Sequence, residues 1–268
     1  MPVDHSLYHR EAHTWWQEDG FLHVLRTSVN PVRVEYLKRI FAQLGRKTDG
    51  LRALDVGCGG GYLTEPLTDL GFCVTGIDPA LESIVAARAH AKQTGLGITY
   101  LLGRAESLPF PDRSFDLVTC CDVLEHVDDL DRSLAEIIRV LRPSGIFVFD
   151  TINRTFMTWL AVIMVAQDFP LTRYFPPATH DWHMFIRPEE LAAGLVRHGM
   201  DLREVKGMSS AVHPLHQFWL ILRMKWGSLS LRDYGRRTRL RLSSDTTMNY
   251  IGYGIREENR ANNGGHQN

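Results

Sequence analysis

The stretch Leu54-Asp55-Val56-Gly57-Cys58-Gly59-Gly60-Gly61, followed by the run that ends at Asp78, decides how this chain is read. Leu51–Val56 is a short apolar run of strand type, and the glycines after it allow a tight turn in which a ligand can lie against the main chain. The spacing is Gly-x-Gly-x-Gly, where dinucleotide sites carry Gly-x-Gly-x-x-Gly, and no Gly-Lys-Ser/Thr follows to hold a triphosphate. A diphosphate is therefore disfavoured. Asp78 stands at the end of the next strand, where a carboxylate can accept hydrogen bonds from two ribose hydroxyls.

Working outward, short runs at Phe72–Ile77, Ile98–Leu102, Phe115–Cys120 and Gly145–Asp150 read as further strands. Helical patterns at Gly61–Leu70, Leu81–Thr94 and Leu130–Leu141 separate them. Strands joined by helices of this length need crossover connections, which predicts an α/β, doubly wound, mostly parallel sheet of Rossmann-like type. Residues 1 to about 50 read as a helical lead-in, with Arg10–Trp16 and Val32–Leu44 helical. Pro188–His198 has a proline at its start and Gly199 at its end, as helix chemistry predicts. Strands near Leu202–Gly207 and Met248–Ile255 complete the sheet. The reading is one domain over residues 1–258, with its core at 50–150, cap insertions at 151–187 and 213–245, and a disordered tail at 259–268.

Composition narrows the class. Of the 268 residues 44% are hydrophobic and 23% charged, and the formal net charge of −1 gives no global attraction to nucleic acid or to an anionic membrane. Cys58, Cys73, Cys120 and Cys121 include no C-x-x-C pair and read as reduced thiols of a cytoplasmic protein. The apolar stretch Thr155–Gln167 is shorter than the ~20 residues that span a bilayer.

Within the core, acidic groups surround the glycine turn. Asp55 brings negative charge to where a sulfonium would carry positive charge, and Ala105-Glu106 follows the third strand, where Glu106 can face an adenine amino group. Glycine-rich and acidic together suit S-adenosyl-L-methionine (SAM). The bland alternative is a tight turn at Gly57–Gly61 with Asp78 as a solvated strand end. Over residues 50 to 150 the pattern resembles class I SAM-dependent methyltransferases.

The flanks extend the likeness. Tyr8-His9-Arg10-Glu11-Ala12-His13-Thr14-Trp15-Trp16, Asn30-Pro31-Val32-Arg33, Cys120-Cys121-Asp122-Val123-Leu124-Glu125-His126-Val127, Thr179-His180-Asp181-Trp182 and Met248-Asn249-Tyr250 are similar to the ubiquinone-biosynthesis O-methyltransferases, which methylate hydroxyls of polyprenylated catechols. The resemblance implies SAM contacts at Arg33, Gly57, Asp78 and Cys121, with Gly59 and Gly61 in the same turn. It also implies a divalent ion, Mg²⁺, Mn²⁺ or Zn²⁺, on Asp122, Glu125 and His126 at the helix start after the fourth strand, where their i, i+3, i+4 spacing puts all three on one helical face. A phenol titrates near pH ~10, so transfer to it needs a metal or a base, and His126, His180 and Asp181 are the candidates for base or substrate ligand. Against this stand a metal-free helix-start pair at Glu125-His126 and a loop-anchoring pair at His180-Asp181.

One segment departs from the resemblance. Between His213 and Asp245 the chain is longer than expected and carries Arg223, Lys225, Arg232, Arg236, Arg237, Arg239 and Arg241 among Trp219, Trp226 and Tyr234. Residues 219–241, with the apolar 156–176, fit a peripheral contact at the inner face of a membrane; a solvated loop or a dimer contact fits the same residues. Trp159, Phe169, Tyr174, Phe175 and Trp182 suggest an aromatic pocket for an apolar aromatic small molecule, and equally lid packing. The expected activity is O-methylation of such an acceptor in quinone biosynthesis. Methylation at nitrogen or carbon of another metabolite, or SAM binding without catalysis, are the alternatives.

Overall fold

A computed structural model of the chain describes residues 7–258 other than Asp19, Phe21 and Tyr174. The tail expected at 259–268 and the pocket residue Tyr174 lie outside the described residues. Eight strands form one sheet in the order β3-β2-β1-β4-β5-β8-β6-β7. They are β1 (Arg52–Val56), β2 (Cys73–Asp78), β3 (Thr99–Leu102), β4 (Phe115–Cys121), β5 (Leu141–Ile152), β6 (Met200–Ser210), β7 (Leu240–Ser243) and β8 (Asn249–Arg256). The pairs from β3 through β5 are parallel, while β8 runs antiparallel between β5 and β6.

Helices fill both faces, which is why the central strands read as unbroken apolar runs. In chain order they are α1 (Leu7–Arg10), α2 (Asn30–Gln43), α3 (Thr64–Asp69), α4 (Leu81–Thr94), α5 (Leu130–Val140), α6 (Phe156–Thr158), α7 (Pro188–Arg197), α8 (Pro214–Lys225) and α9 (Leu231–Thr238). Side chains alternate along each strand, so Phe147 and Phe149 pack with Leu134 and Ile137 of α5 and Leu191 and Leu195 of α7. Ile146 and Val148 point the other way, to Tyr36, Leu37 and Ile40 of α2. Because the chain leaves β1 toward β2 on one side and returns to β4 on the other, a crevice opens at the carboxyl ends of β1 and β4.

Three expectations change. The helix after the glycine turn starts at Thr64 rather than Gly61, because Gly57, Gly59 and Gly61 all have positive φ and belong to the turn. Arg10–Trp16 is not one helix: α1 ends at Arg10 and a short 3-10 turn covers Ala12–Thr14. The basic segment is not a solvated loop: it forms α8, α9 and the edge strand β7. Its start signals are ordinary ones, a proline at the first turn of α8 and the Ser230 hydroxyl accepting from Asp233 N at 3.0 Å to cap α9. The apolar insertion is helical too, with α6 running into a wide π-helical segment at Trp159–Asp168.

Candidate active site

At the end of β1 the turn is fixed to β2 by two backbone bonds, Gly57 N and Cys58 N donating to Ile77 O at 2.8 and 3.1 Å. That brings it beside Asp78, whose carboxylate accepts from Gly59 N at 2.9 Å and from Ala80 N at 2.8 Å. Asp78 thus holds the turn and also lines the cavity beside it. Gly57 has φ +72° and an added Cβ would lie 2.2 Å from Val123 Cγ2; at Gly59, φ +51°, it would meet the Trp15 ring at 2.4 Å. Trp15 belongs to the N-terminal lead-in, donates its indole N–H to Ser83 Oγ at 3.0 Å and closes one side of the cavity, while Trp16 donates to Gly60 O at 3.0 Å.

The cavity so formed measures about 290 Å³, and Arg33, Asp55, Gly57, Gly59, Asp78, Glu106 and Cys121 all line it, together with Asp122 and His126. Gly61 does not reach it and packs against Tyr100. Asp55 accepts the hydroxyls of Thr64 at 2.8 Å and Thr119 at 2.7 Å; burial pushes its carboxyl up to about 6, against those two bonds. It therefore braces α3 against β4 as well as supplying negative charge. Glu106 accepts from Asp128 N at 2.9 Å and so anchors the approach to α5.

Arg33 is buried and contacts two carboxylates. Its Nε and Nη2 donate to Asp150 Oδ2 and Oδ1, each at 2.6 Å, Nη1 donates to Asn30 Oδ1 at 2.9 Å, and Nη2 also bonds the Asp122 carboxylate. Burial works against its charge, but Asp122 and Asp150 outweigh that and keep the guanidinium protonated. Asp122 has φ +54°, an uncommon left-handed conformation for an aspartate. Arg33 and the bond from Asp122 N to Asp150 Oδ1 at 3.2 Å hold it there.

A second cavity of about 310 Å³ lies on the far side of Asp122 and shares Leu25, Asp122 and His126 with the first. Its near end carries Glu125 and His180. Glu125 is 2% exposed, accepts the Thr151 hydroxyl at 2.7 Å through Oε2, and has no hydrogen-bond partner for Oε1 among the described residues. Burial and then the Asp122 charge push its carboxyl up to about 8. Burial and then His126 push His180 down to about 3, so it is neutral. The His126 and His180 rings stand 5.4 Å apart. Ala161, Val162, Ala166, Ile221 and Leu240 form apolar walls, Ser210, Gln217 and Tyr234 add polar groups, and among the described residues no Lys or Arg lines the space. Gln217 donates to Tyr234 Oη at 2.7 Å.

Two expectations about these residues need correction. Asp122, Glu125 and His126 do not occupy one face of an α-helix: Asp122 follows the end of β4 in a left-handed conformation and Leu124–His126 is a 3-10 turn. Asp122 is paired to Arg33 and Glu125 is bonded to Thr151, and no three His, Cys, Asp or Glu among the described residues converge as a metal-ligand set. Asp181 does not join His126 either. Its carboxylate accepts from His183 N at 2.9 Å, capping the Trp182–Met184 turn, and it lines a separate outer groove.

Asn30, Thr64, Thr119, Asp150 and Thr151 were not foreseen as site residues. An acid inside an apolar strand, as at Asp150, is the signal that marks such a position, since a buried charge needs a partner.

Strand order, the glycine turn closed by Asp78 and the cavity between them define a class I SAM-dependent methyltransferase. A family profile described as a methyltransferase domain matches residues 54–149. The ubiquinone biosynthesis O-methyltransferase of Paramagnetospirillum magneticum is 39% identical over 225 residues, 81% of this chain and 88% of that protein. The protein of the same name from Nitrosococcus oceani is 35% identical across 96% of both chains. The chain belongs to the ubiquinone biosynthesis O-methyltransferase family. Solved structures share the fold at lower identity: a SAM-dependent methyltransferase from Thermotoga maritima, TM-score 0.61 at 18% identity over 94% of this chain and 100% of that one. Magnesium protoporphyrin IX methyltransferase from Synechocystis, solved with bound S-adenosylhomocysteine, gives TM-score 0.56 at 18% identity over 85% of this chain and 84% of that one.

Proposed function

We propose that the chain transfers the methyl group of SAM to a hydroxyl of an apolar aromatic acceptor, a polyprenyl catechol or quinol of quinone biosynthesis, and releases S-adenosylhomocysteine. One observation carries the reading: the cofactor cavity and the second cavity meet at Leu25, Asp122 and His126. A sulfonium methyl in the first then faces an acceptor oxygen in the second, and holding both in line supplies much of the acceleration. The new bond forms between oxygen and methyl carbon as the sulfur–methyl bond breaks, and the hydroxyl proton must leave. His126, at the meeting point, takes that proton and passes it to solvent; Asp122, fixed by Arg33, orients the reacting groups; neutral His180 bonds the acceptor. The names of the relatives support the choice of acceptor.

The reading extends to a membrane surface as the source of the acceptor. Phe156, Leu160, Met164, Phe169 and Leu171 of the first insertion are exposed, as are Leu215, Phe218, Trp219 and Trp226 at α8, and Lys225 Nζ donates to Arg173 O at 3.1 Å to join the two. Exposed apolar groups beside Arg223 and Lys225 suit an anionic bilayer. No helix among the described residues is long and apolar enough to cross one. Flotation with anionic vesicles that persists unchanged after charge reversal at Arg223 and Lys225 refutes this part. The main reading is tested by following S-adenosylhomocysteine from SAM and a prenylated catechol; SAM binding without turnover of any catechol refutes the acceptor.

A further inference from the structure

A groove of about 880 Å³ opens on the outer side of the first insertion, walled by Trp159, Ile163, Ala178 and Trp182. The π-helical segment Trp159–Asp168 separates it from the acceptor cavity. Trp159, Ile163 and Gln167 face the groove, whereas Ala161, Val162 and Ala166 face the cavity. Among the described residues a single one lines both spaces, His180. It stands between the two; among the described residues its Nδ1 has no hydrogen-bond partner, and its backbone is held on both sides by buried Gln167, which accepts from His180 N at 2.8 Å and donates to His180 O at 3.2 Å.

The linings assign different occupants. The acceptor cavity meets the cofactor cavity at Leu25, Asp122 and His126 and so takes the reacting ring, whereas the groove has none of these residues. A hydrocarbon chain on that ring needs a second space, and the larger groove begins at the residue that ends the first. The geometry points to the groove as the binding site for the apolar tail of the acceptor, with His180 as the residue past which the tail leaves the ring cavity and Trp159 and Ile163 as the determinants of preference for tailed over tail-less acceptors. The assignment rests on the proposed catechol acceptor. Of the polar residues in the groove Asp168, Arg173 and His183 are exposed, while Trp159, Ile163, Ala178 and Trp182 are half-buried and form the wall left to the tail.

The test measures binding to the full chain saturated with S-adenosylhomocysteine, by calorimetry, using farnesylcatechol and methylcatechol. The wild-type chain is expected to bind the farnesyl compound at least about tenfold more tightly, since each buried methylene adds severalfold. Ile163→Trp fills the groove and is expected to bring the two affinities within about threefold of each other, with methylcatechol and S-adenosylhomocysteine binding unchanged. Trp159→Ala, a milder change at a half-buried position, is expected to weaken farnesylcatechol alone. Equal wild-type affinities, or variants that weaken both catechols alike, overturn the groove assignment. Tail-dependent binding without methyl transfer to either compound supports the groove and counts against the proposed function instead.

Discussion

Replacing Gly57 with alanine tests the cofactor turn. At φ +72° an alanine pays the left-handed penalty of about 1–2 kcal/mol. Its Cβ would also lie 2.2 Å from Val123 Cγ2, and a β-branched side chain cannot swing away freely, which adds about 1–3 kcal/mol of overpacking. The sum, about 2–5 kcal/mol, lowers the melting temperature of a chain this size by roughly 4–9 °C. Val123 also lines the cofactor cavity, so its displacement is expected to weaken SAM binding at least about tenfold. Gly95 provides the control: its φ is +70°, but an added Cβ meets nothing within 4 Å. Gly95→Ala should therefore show the conformational penalty alone and keep full SAM affinity. Calorimetric titration and thermal melts of both variants decide the matter. Equal losses of stability, together with unchanged SAM affinity in Gly57→Ala, refute the packing argument.

Further outcomes follow from the same geometry. Arg33→Met leaves the Asp150 and Asp122 carboxylates without their shared cation and should cost about 3–5 kcal/mol in urea unfolding; a loss under about 1 kcal/mol contradicts the buried pairing. His126→Ala should lower kcat by about 10²–10⁴ while SAM affinity stays within a few fold, and undiminished kcat removes His126 from proton transfer. His180 titrates near 3 folded against 6.5 when free, so between these values only the unfolded chain holds the proton. Stability should fall as pH drops through that window, by up to about 1.4 kcal/mol per pH unit, and His180→Gln should flatten the slope. Glu125, raised to about 8 from 4.5, works the other way: the folded chain holds a proton the unfolded one releases, so stability falls as pH rises from 4.5 to 8. Glu125→Gln should be less sensitive to pH there; an unchanged profile refutes the buried, protonated carboxyl.

Local rules carried the sheet and the cofactor turn, because β1 to β5 each announce themselves by an apolar run beside glycine or capping residues. Arg33 and Asp78 were visible for the same reason: each lies in a short motif. What sequence reading missed depends on distant partners. Asp150 is 117 residues from Arg33, and nothing local to either says that they pair. The helical spacing inferred for Asp122, Glu125 and His126 failed because Asp122 takes a left-handed conformation held by that same distant pair. The basic segment was read by charge, and its helix signals at Pro214 and Ser230 were weaker than its arginines. Its apolar contribution to the acceptor wall, through Ile221 and Leu240, appears only once the segment folds back over the cavity.

The position of β8 bears on how the chain assembles. It is the last of the eight strands to be synthesised, yet it belongs between β5 and β6, where it pairs along Asn249–Arg256 with both. Until it arrives, the nascent chain holds a nearly complete cofactor half, β1 to β5, with a bare edge, and β6 with β7 as a detached ribbon. Closure must wait for long-range pairing, which is the slow kind of step. Two unpaired edges exposed in the interval are templates for other chains, so a ribosome stalled before residue 249 should leave a product prone to aggregate rather than a smaller working enzyme.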